Sequence, residues 1–153
     1  MDPLKDPGIV IESVRLLQAH IEMGDPGAPK KYNLRLIDLS RAEFNDGKDL
    51  NVMAFFDIMH GVEKPLFRFT CGFLVHYTRQ EGANMQWKDF SLAMALAHIV
   101  PYLREYVSNM TNRLPVPVLL LDPINTSTMV ADYEQRKRQA EEPKAGASHP
   151  KPP

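Results

Sequence analysis

A single cysteine, Cys71, stands among 153 residues, so no internal disulfide can form and no cysteine cluster can hold zinc. A surplus of either charge is also missing. Eighteen basic and 19 acidic side chains leave a formal net charge of -1, spread along the chain, without the basic footprint that nucleic-acid binding requires. No apolar run is long and uninterrupted enough to span a bilayer. The opening MDPLKDPG is polar and turn-forming, so no signal peptide is expected and the protein is expected to remain in the cytoplasm. The eight glycines form no phosphate-cradling loop, and neither a GxSxG elbow nor a paired-acid motif occurs. His20, His60, His76, His98 and His149 have no short ligand spacing; only His76 and His98 are placed to meet where strand and helix pack, and no metal or other cofactor is expected. Cys71 shares a face with aromatic and apolar neighbours, which suits a core thiol better than a nucleophile, so the chain does not read as an enzyme.

What is present is an ordered series of apolar patterns. The length suits one domain. Residues 1-8 read as a flexible start, 9-139 as the folded domain, and 140-153, rich in proline and without apolar anchors, as a disordered tail. Residues 9–23 mix β-branched and polar types and end at Gly24-Asp25-Pro26-Gly27, a strong turn cluster. A second strand is expected over 32–39, a hairpin at Asn45-Asp46-Gly47, a third strand over 50–59 and a turn over 60–65. Residues 66–77 then alternate. Phe67, Phe69, Cys71, Phe73, Val75 and Tyr77 share one face, and burying them is worth on the order of 10 kcal/mol before entropy. The third strand is apolar on both sides, Val52, Ala54, Phe56 and Ile58 on one and Met53, Phe55 and Met59 on the other, so it needs cover on both.

From about residue 91 the period changes. Leu92, Leu96, Ile99, Leu103, Val107 and Met110 recur at steps of three and four, one stripe of a long helix capped by Asp89 or Ser91. Pro101 lies inside it and predicts a kink near residues 98–101. Pro115 and Pro117 stop the helix, and residues 118–121 are too apolar for a surface loop, so they are expected to be extended and packed. A second helix starts near Thr126 or Ser127, with Met129, Val130 and Tyr133 on its apolar side, and fades into Arg136-Lys137-Arg138, which reads as a solvated end. The expected fold is α+β: a four-stranded antiparallel meander covered by a long kinked helix, followed by a second, C-terminal helix.

One ungapped stretch carries a more specific pattern: Pro101, Tyr102, Arg104, Glu105, Met110, Arg113, Pro117, Leu119, Leu121, Pro123, Asn125 and Tyr133. Arg15, Ile21, Pro26, Ala28 and Pro29 echo it at the front. In these positions the chain resembles the SecB family of bacterial protein-export chaperones over roughly residues 9–135, while residues 80–90 match poorly. The resemblance implies a homotetramer, a dimer of dimers, with Leu92, Leu96, Ile99, Leu103 and Val107 of the long helix packed between two sheets. It implies a client groove formed by Tyr32, Leu34, Phe55, Met129, Val130 and Tyr133, in which flexible methionines suit varied apolar sequences. Its function would be that of an ATP-independent holdase, binding unfolded precursor polypeptides and delivering them to the SecA translocase motor. The motor-docking face departs from the family. His20, Gly24 and Cys71 or Gly72 stand where carboxylates are expected, and Arg68 adds a positive charge that Glu12 and Glu22 offset only in part. The loop after Pro29 is also short and lacks the family's tryptophan. The alternative is a SecB-like chaperone dedicated to one client, such as the antitoxin of a toxin-antitoxin module, with no need of SecA.

Overall fold

A computed structural model describes residues 7–24, 31–60 and 67–142. Its strands are β1 (Ile9–Met23), β2 (Tyr32–Phe44), β3 (Asp49–His60) and β4 (Phe67–Arg79), all in one antiparallel sheet of order β1-β4-β3-β2. The expected meander is therefore corrected. β2, β3 and β4 follow one another, but β1 crosses to lie beside β4, which is the Greek-key order. The pattern of side chains explains the choice. β4 buries Phe67, Phe69, Cys71, Phe73, Val75 and Tyr77 along one face and needs neighbours on both sides, whereas β1 exposes most of its residues and tolerates an edge.

The β2–β3 hairpin turns where the Asn-Asp-Gly signal placed it. Asn45, Asp46 and Gly47 all adopt the left-handed backbone that Asn, Asp and Gly tolerate best, and Lys48 N–H closes the turn on the Asn45 carbonyl at 3.1 Å. A 3-10 turn, Trp87–Asp89, then leads into α1 (Leu92–Thr111), whose cap is Ser91, its hydroxyl accepting from Met94 N–H at 3.1 Å. The helix runs unbroken through Pro101, which sits on its exposed side, where the freed Ala97 carbonyl can turn to water.

After α1 the chain is extended and alternates, Leu119 and Leu121 buried, Val118 and Leu120 exposed. Two hydrogen bonds fasten it to the helix. Thr111 Oγ1 accepts from Leu119 N–H at 2.9 Å while donating to the Val107 carbonyl at 2.8 Å, and Arg104 Nε–H donates to the Leu121 carbonyl at 3.1 Å. Thr111→Val keeps the shape but orphans the buried Leu119 N–H, and chemical denaturation is expected to show a loss of about 1–3 kcal/mol. The second helix, α2 (Thr126–Glu141), is capped by the Asn125 side chain and continues beyond the boundary expected at residue 139. At the other end, Pro7 and Gly8 carbonyls accept from Met85 and Gln80 N–H, so the described chain is fastened before residue 9. Residues 1–6 and 143–153, and with them most of the expected flexible start and tail, lie outside the described residues.

Candidate polypeptide-binding surfaces

The sheet has two faces with different fates. The inner face, under α1, holds Leu36, Leu39, Leu50, Val52, Ala54, Phe56, Ile58 and the β4 stripe. Leu96, Ile99 and Leu103, each 0% exposed, and Val107, 1% exposed, complete that same core within the single chain. This corrects the expected placement of these four at a subunit interface: a lone sheet face needs its helix, and they have no surface left to offer a partner. Only Leu92 keeps part of its side chain accessible.

What α1 does leave open is its opposite flank. β1 stands at the edge beyond the reach of α1, so Ile11 and Leu16, which pair with Tyr77 and Phe73, stay more than 40% exposed on the inner face, beside exposed Met94 and Tyr102 of the helix. Ile11, Ala97, His98, Pro101, Tyr102 and Glu105 line a hollow of about 460 Å³ there. His98 closes its floor, Nδ1 at 3.0 Å from the Tyr77 hydroxyl and its ring stacked on Phe90. His76 lies on the other face of the sheet, so the two histidines do not meet, and no metal-holding cluster occurs among the described residues.

Burial holds His98 below the ordinary imidazole value of 6.5. The unfolded chain therefore takes up this proton first, and stability is unaffected above pH 6.5 and falls as the pH drops from there toward the folded value. In urea titrations across pH 5 to 8, His98→Gln is expected to flatten that acid-side decline relative to the parent protein. The Cys71 thiol, 1% exposed, is pushed up to about 12 by burial. A thiol reagent at neutral pH is expected to leave it unlabelled until denaturant unfolds the core, because thiolate and access are both missing.

The second open surface is a groove of about 360 Å³ between β2 and α2. β2 is the other sheet edge, and α2 covers it with no fully buried side chain. Tyr32, Leu34, Met129, Val130 and Tyr133 all pack partly buried against the core, so five of the six expected groove residues gather at this end of the molecule. Polar contacts hold them. Asp122 N–H donates to the Tyr32 hydroxyl at 2.8 Å, which donates to Asp122 Oδ2 at 3.1 Å, and the Tyr133 hydroxyl donates to Asp38 Oδ1 at 3.3 Å. Burial raises the Tyr32 phenol above its usual value. Arg136, read as part of a solvated end, instead donates from Nη2 to the Leu36 carbonyl at 2.7 Å. Its spacing was the missed signal, since Met129, Tyr133 and Arg136 fall at i, i+4 and i+7 on one helix stripe.

Phe55 does not join them. It lies on the outer face, opposite Gly72, and a Cβ on Gly72 would come within 2.3 Å of its ring. A one-residue step along a strand turns a side chain through the sheet, which is why Phe55 and Leu34 part company. No carboxylate can occupy position 72 unless that ring swings away. Elsewhere on the outer face, Glu22 lies opposite Arg68 and touches His20 at 3.1 Å, while Glu12 sits exposed at a break in register. The buried acid is Asp57, 3% exposed, held by Arg68 through Nε at 2.9 Å and Nη2 at 3.2 Å and by Arg35 Nη2 at 3.3 Å. The paired carboxylate raises the Arg68 guanidinium further. The acids of this face are thus largely engaged by cations of the same face.

No family model matches the chain. The protein-export protein SecB of Histophilus somni (strain 129Pt) is 40% identical over 47 residues, which are 31% of this chain and 28% of that protein, so the match spans little more than a quarter of the relative. Among solved structures, the SecB-like chaperone Rv1957 of Mycobacterium tuberculosis, in complex with a ChAD peptide from the Rv1956 HigA1 antitoxin, superposes with a TM-score of 0.61. That superposition covers 76% of this chain and 90% of the other at 21% identity, and it establishes a shared fold. A protein of unknown function from Streptococcus agalactiae covers 75% of this chain and 97% of its own, at 15% identity and a TM-score of 0.43, too loosely to carry an argument. In fold, and over that stretch of sequence, the chain is SecB-like.

Proposed function

We propose that this protein is an ATP-independent holdase of the cytoplasm that binds unfolded polypeptides in the groove between β2 and α2. The observation that carries the reading is the groove itself: an open hollow at a sheet edge lined by Leu34 and Met129, on elements that also carry partly buried Tyr32, Val130 and Tyr133, with the similarity to a SecB and to a SecB-like fold as support. An extended segment can lay alternate apolar side chains against such a surface while its backbone meets the edge strand. The experiment is suppression of aggregation of a chemically denatured protein on dilution, without nucleotide. Protection is expected for the parent chain, and its loss is expected for Met129→Asp combined with Tyr133→Asp.

Assembly as a dimer of dimers belongs to the same proposal, with its contact moved from the α1 stripe to the flank where Ile11, Leu16, Met94 and Tyr102 are exposed. Tyr102→Glu would then lower the oligomer mass with little change in the stability of the separate subunit.

Delivery to SecA is the first destination for a held precursor, and a single dedicated client such as an antitoxin is the second. The second is favoured by one observation, an outer face on which Asp57 is held by Arg35 and Arg68 and Glu22 lies against His20. Titration with the basic tail of SecA separates them: binding that Glu12→Gln and Glu22→Gln weaken supports export, and no binding supports the dedicated client.

A further inference from the structure

We infer that Arg136 ends the strand that a guest segment adds to β2: it occupies the edge carbonyl at which the ladder would otherwise continue, and so limits the backbone grip to the first residues of β2. This rests on the β2–α2 groove being the polypeptide site. In an antiparallel strand the N–H and C=O of one residue point to the same side, and that side alternates along the chain. The Leu36 carbonyl meets Arg136 of α2 and so points away from β3. Leu34, two residues earlier and before the break in register, presents its own N–H and C=O to the same edge, where the groove opens. An extended guest can pair with it there.

At Leu36 the guest meets a filled acceptor. Arg136 Nη2 donates to it at 2.7 Å, a charge-assisted bond about twice as strong as the neutral one that a guest N–H offers in exchange. Beyond Leu36 the edge is closed in other ways. Ile37 is an extra residue at the break in register, the Leu39 N–H turns onto Asp38 Oδ1 at 2.9 Å, and the Tyr133 hydroxyl reaches the same oxygen. Arg136 therefore stands at the one point where the ladder could grow by a further pair. A charged side chain over a sheet edge guards it against pairing with other chains, and here the guard is partial, leaving the edge open at Leu34 and shut at Leu36. The occupant is an extended segment held by a short ladder and by apolar side chains against Leu34 and Met129, a grip that lets go readily and reads little sequence.

The test uses the full chain, a short fluorescently labelled peptide of alternating apolar and polar residues, and the same peptide with every backbone nitrogen methylated, which has no N–H to give to a ladder. The parent protein is expected to bind the unmodified peptide more tightly. Arg136→Met keeps an unbranched side chain, drops its donors and frees the Leu36 carbonyl. It is expected to raise that preference about tenfold, the worth of two added hydrogen bonds, through slower release of the unmodified peptide. Arg136→Lys keeps a donor for that carbonyl and is expected to stay near the parent value. Loosening of α2 alone would change the binding of both peptides together, so the ratio between them reports the ladder and not the packing. Thermal melts confirm that the variants are folded, and the comparison of the two peptides on the parent protein needs no variant. Equal binding of the two peptides by the parent, an unchanged ratio in Arg136→Met, or an equal rise in Arg136→Lys overturns the inference while leaving the holdase reading standing. Binding of neither peptide by the parent overturns both.

Discussion

Replacing Leu103 by alanine is expected to lower the free energy of unfolding by about 2–5 kcal/mol, the range for deleting a fully buried leucine and leaving a cavity. Leu103 is 0% exposed and lies midway along the α1 stripe, between Ile99 and Val107, where the helix closes the sheet. The surroundings cannot collapse easily, because β3 and β4 fix one wall and the helix the other. In urea the midpoint should fall with little change of slope, since the unfolded chain exposes the same surface. Tyr102→Ala, one residue away but 46% exposed, is expected to change the stability of the separate chain by less than about 0.5 kcal/mol. The pair shows that α1 has one side for its own core and one side free.

Trp87→Ala should cost at least as much, about 3–5 kcal/mol, for a reason that a volume argument alone misses. Trp87 is 3% exposed, packs edge-on against Phe90, and donates from Nε1 to the Gly47 carbonyl at 2.8 Å. It therefore ties the turn before α1 to the β2–β3 hairpin. Its own carbonyl and that of Phe90 accept from Arg41 at 2.6 and 2.8 Å, fastening the same turn to β2. Trp87→Phe keeps most of the packing and loses the donor, so a loss of about 1–2 kcal/mol is expected. The difference between the two variants, read by denaturation, separates packing from the hydrogen bond.

The two residues also mark what could and could not be read in the sequence. Leu103 belongs to a regular period, and such periods locate β3, β4 and α1 to within two residues of their ends, while β1 is located by its β-branched composition and the turn cluster after it. The hairpin at Asn45-Asp46-Gly47 was equally plain, because its residue types match the left-handed backbone they adopt. Trp87 lies in a stretch without period, where tertiary hydrogen bonds to Gly47 and from Arg41 set the structure. Strand order was misread for a related reason. Alternation tells which side of a strand is buried but not which strand lies beside it, and the β1–β4 pairing joins residues more than 40 positions apart. The same blindness put the α1 stripe at a subunit interface, since a helix period cannot say whether its own sheet or a partner provides the cover. In the groove, the apolar members of α2 stand out in the sequence, whereas Arg136 is hidden in a run of charges, and Phe55, whose parity already sets it opposite Phe56, enters the groove only through the family resemblance.

The central property is that the open β2–α2 groove holds unfolded chains. Light scattering on a sizing column, with and without a permanently unfolded protein, measures it most directly. The account predicts an oligomer that co-elutes with the unfolded protein and ignores the same protein when folded, and that loses the complex when Met129 and Tyr133 are both replaced by aspartate. A chain that elutes unchanged in the presence of the unfolded protein would contradict it.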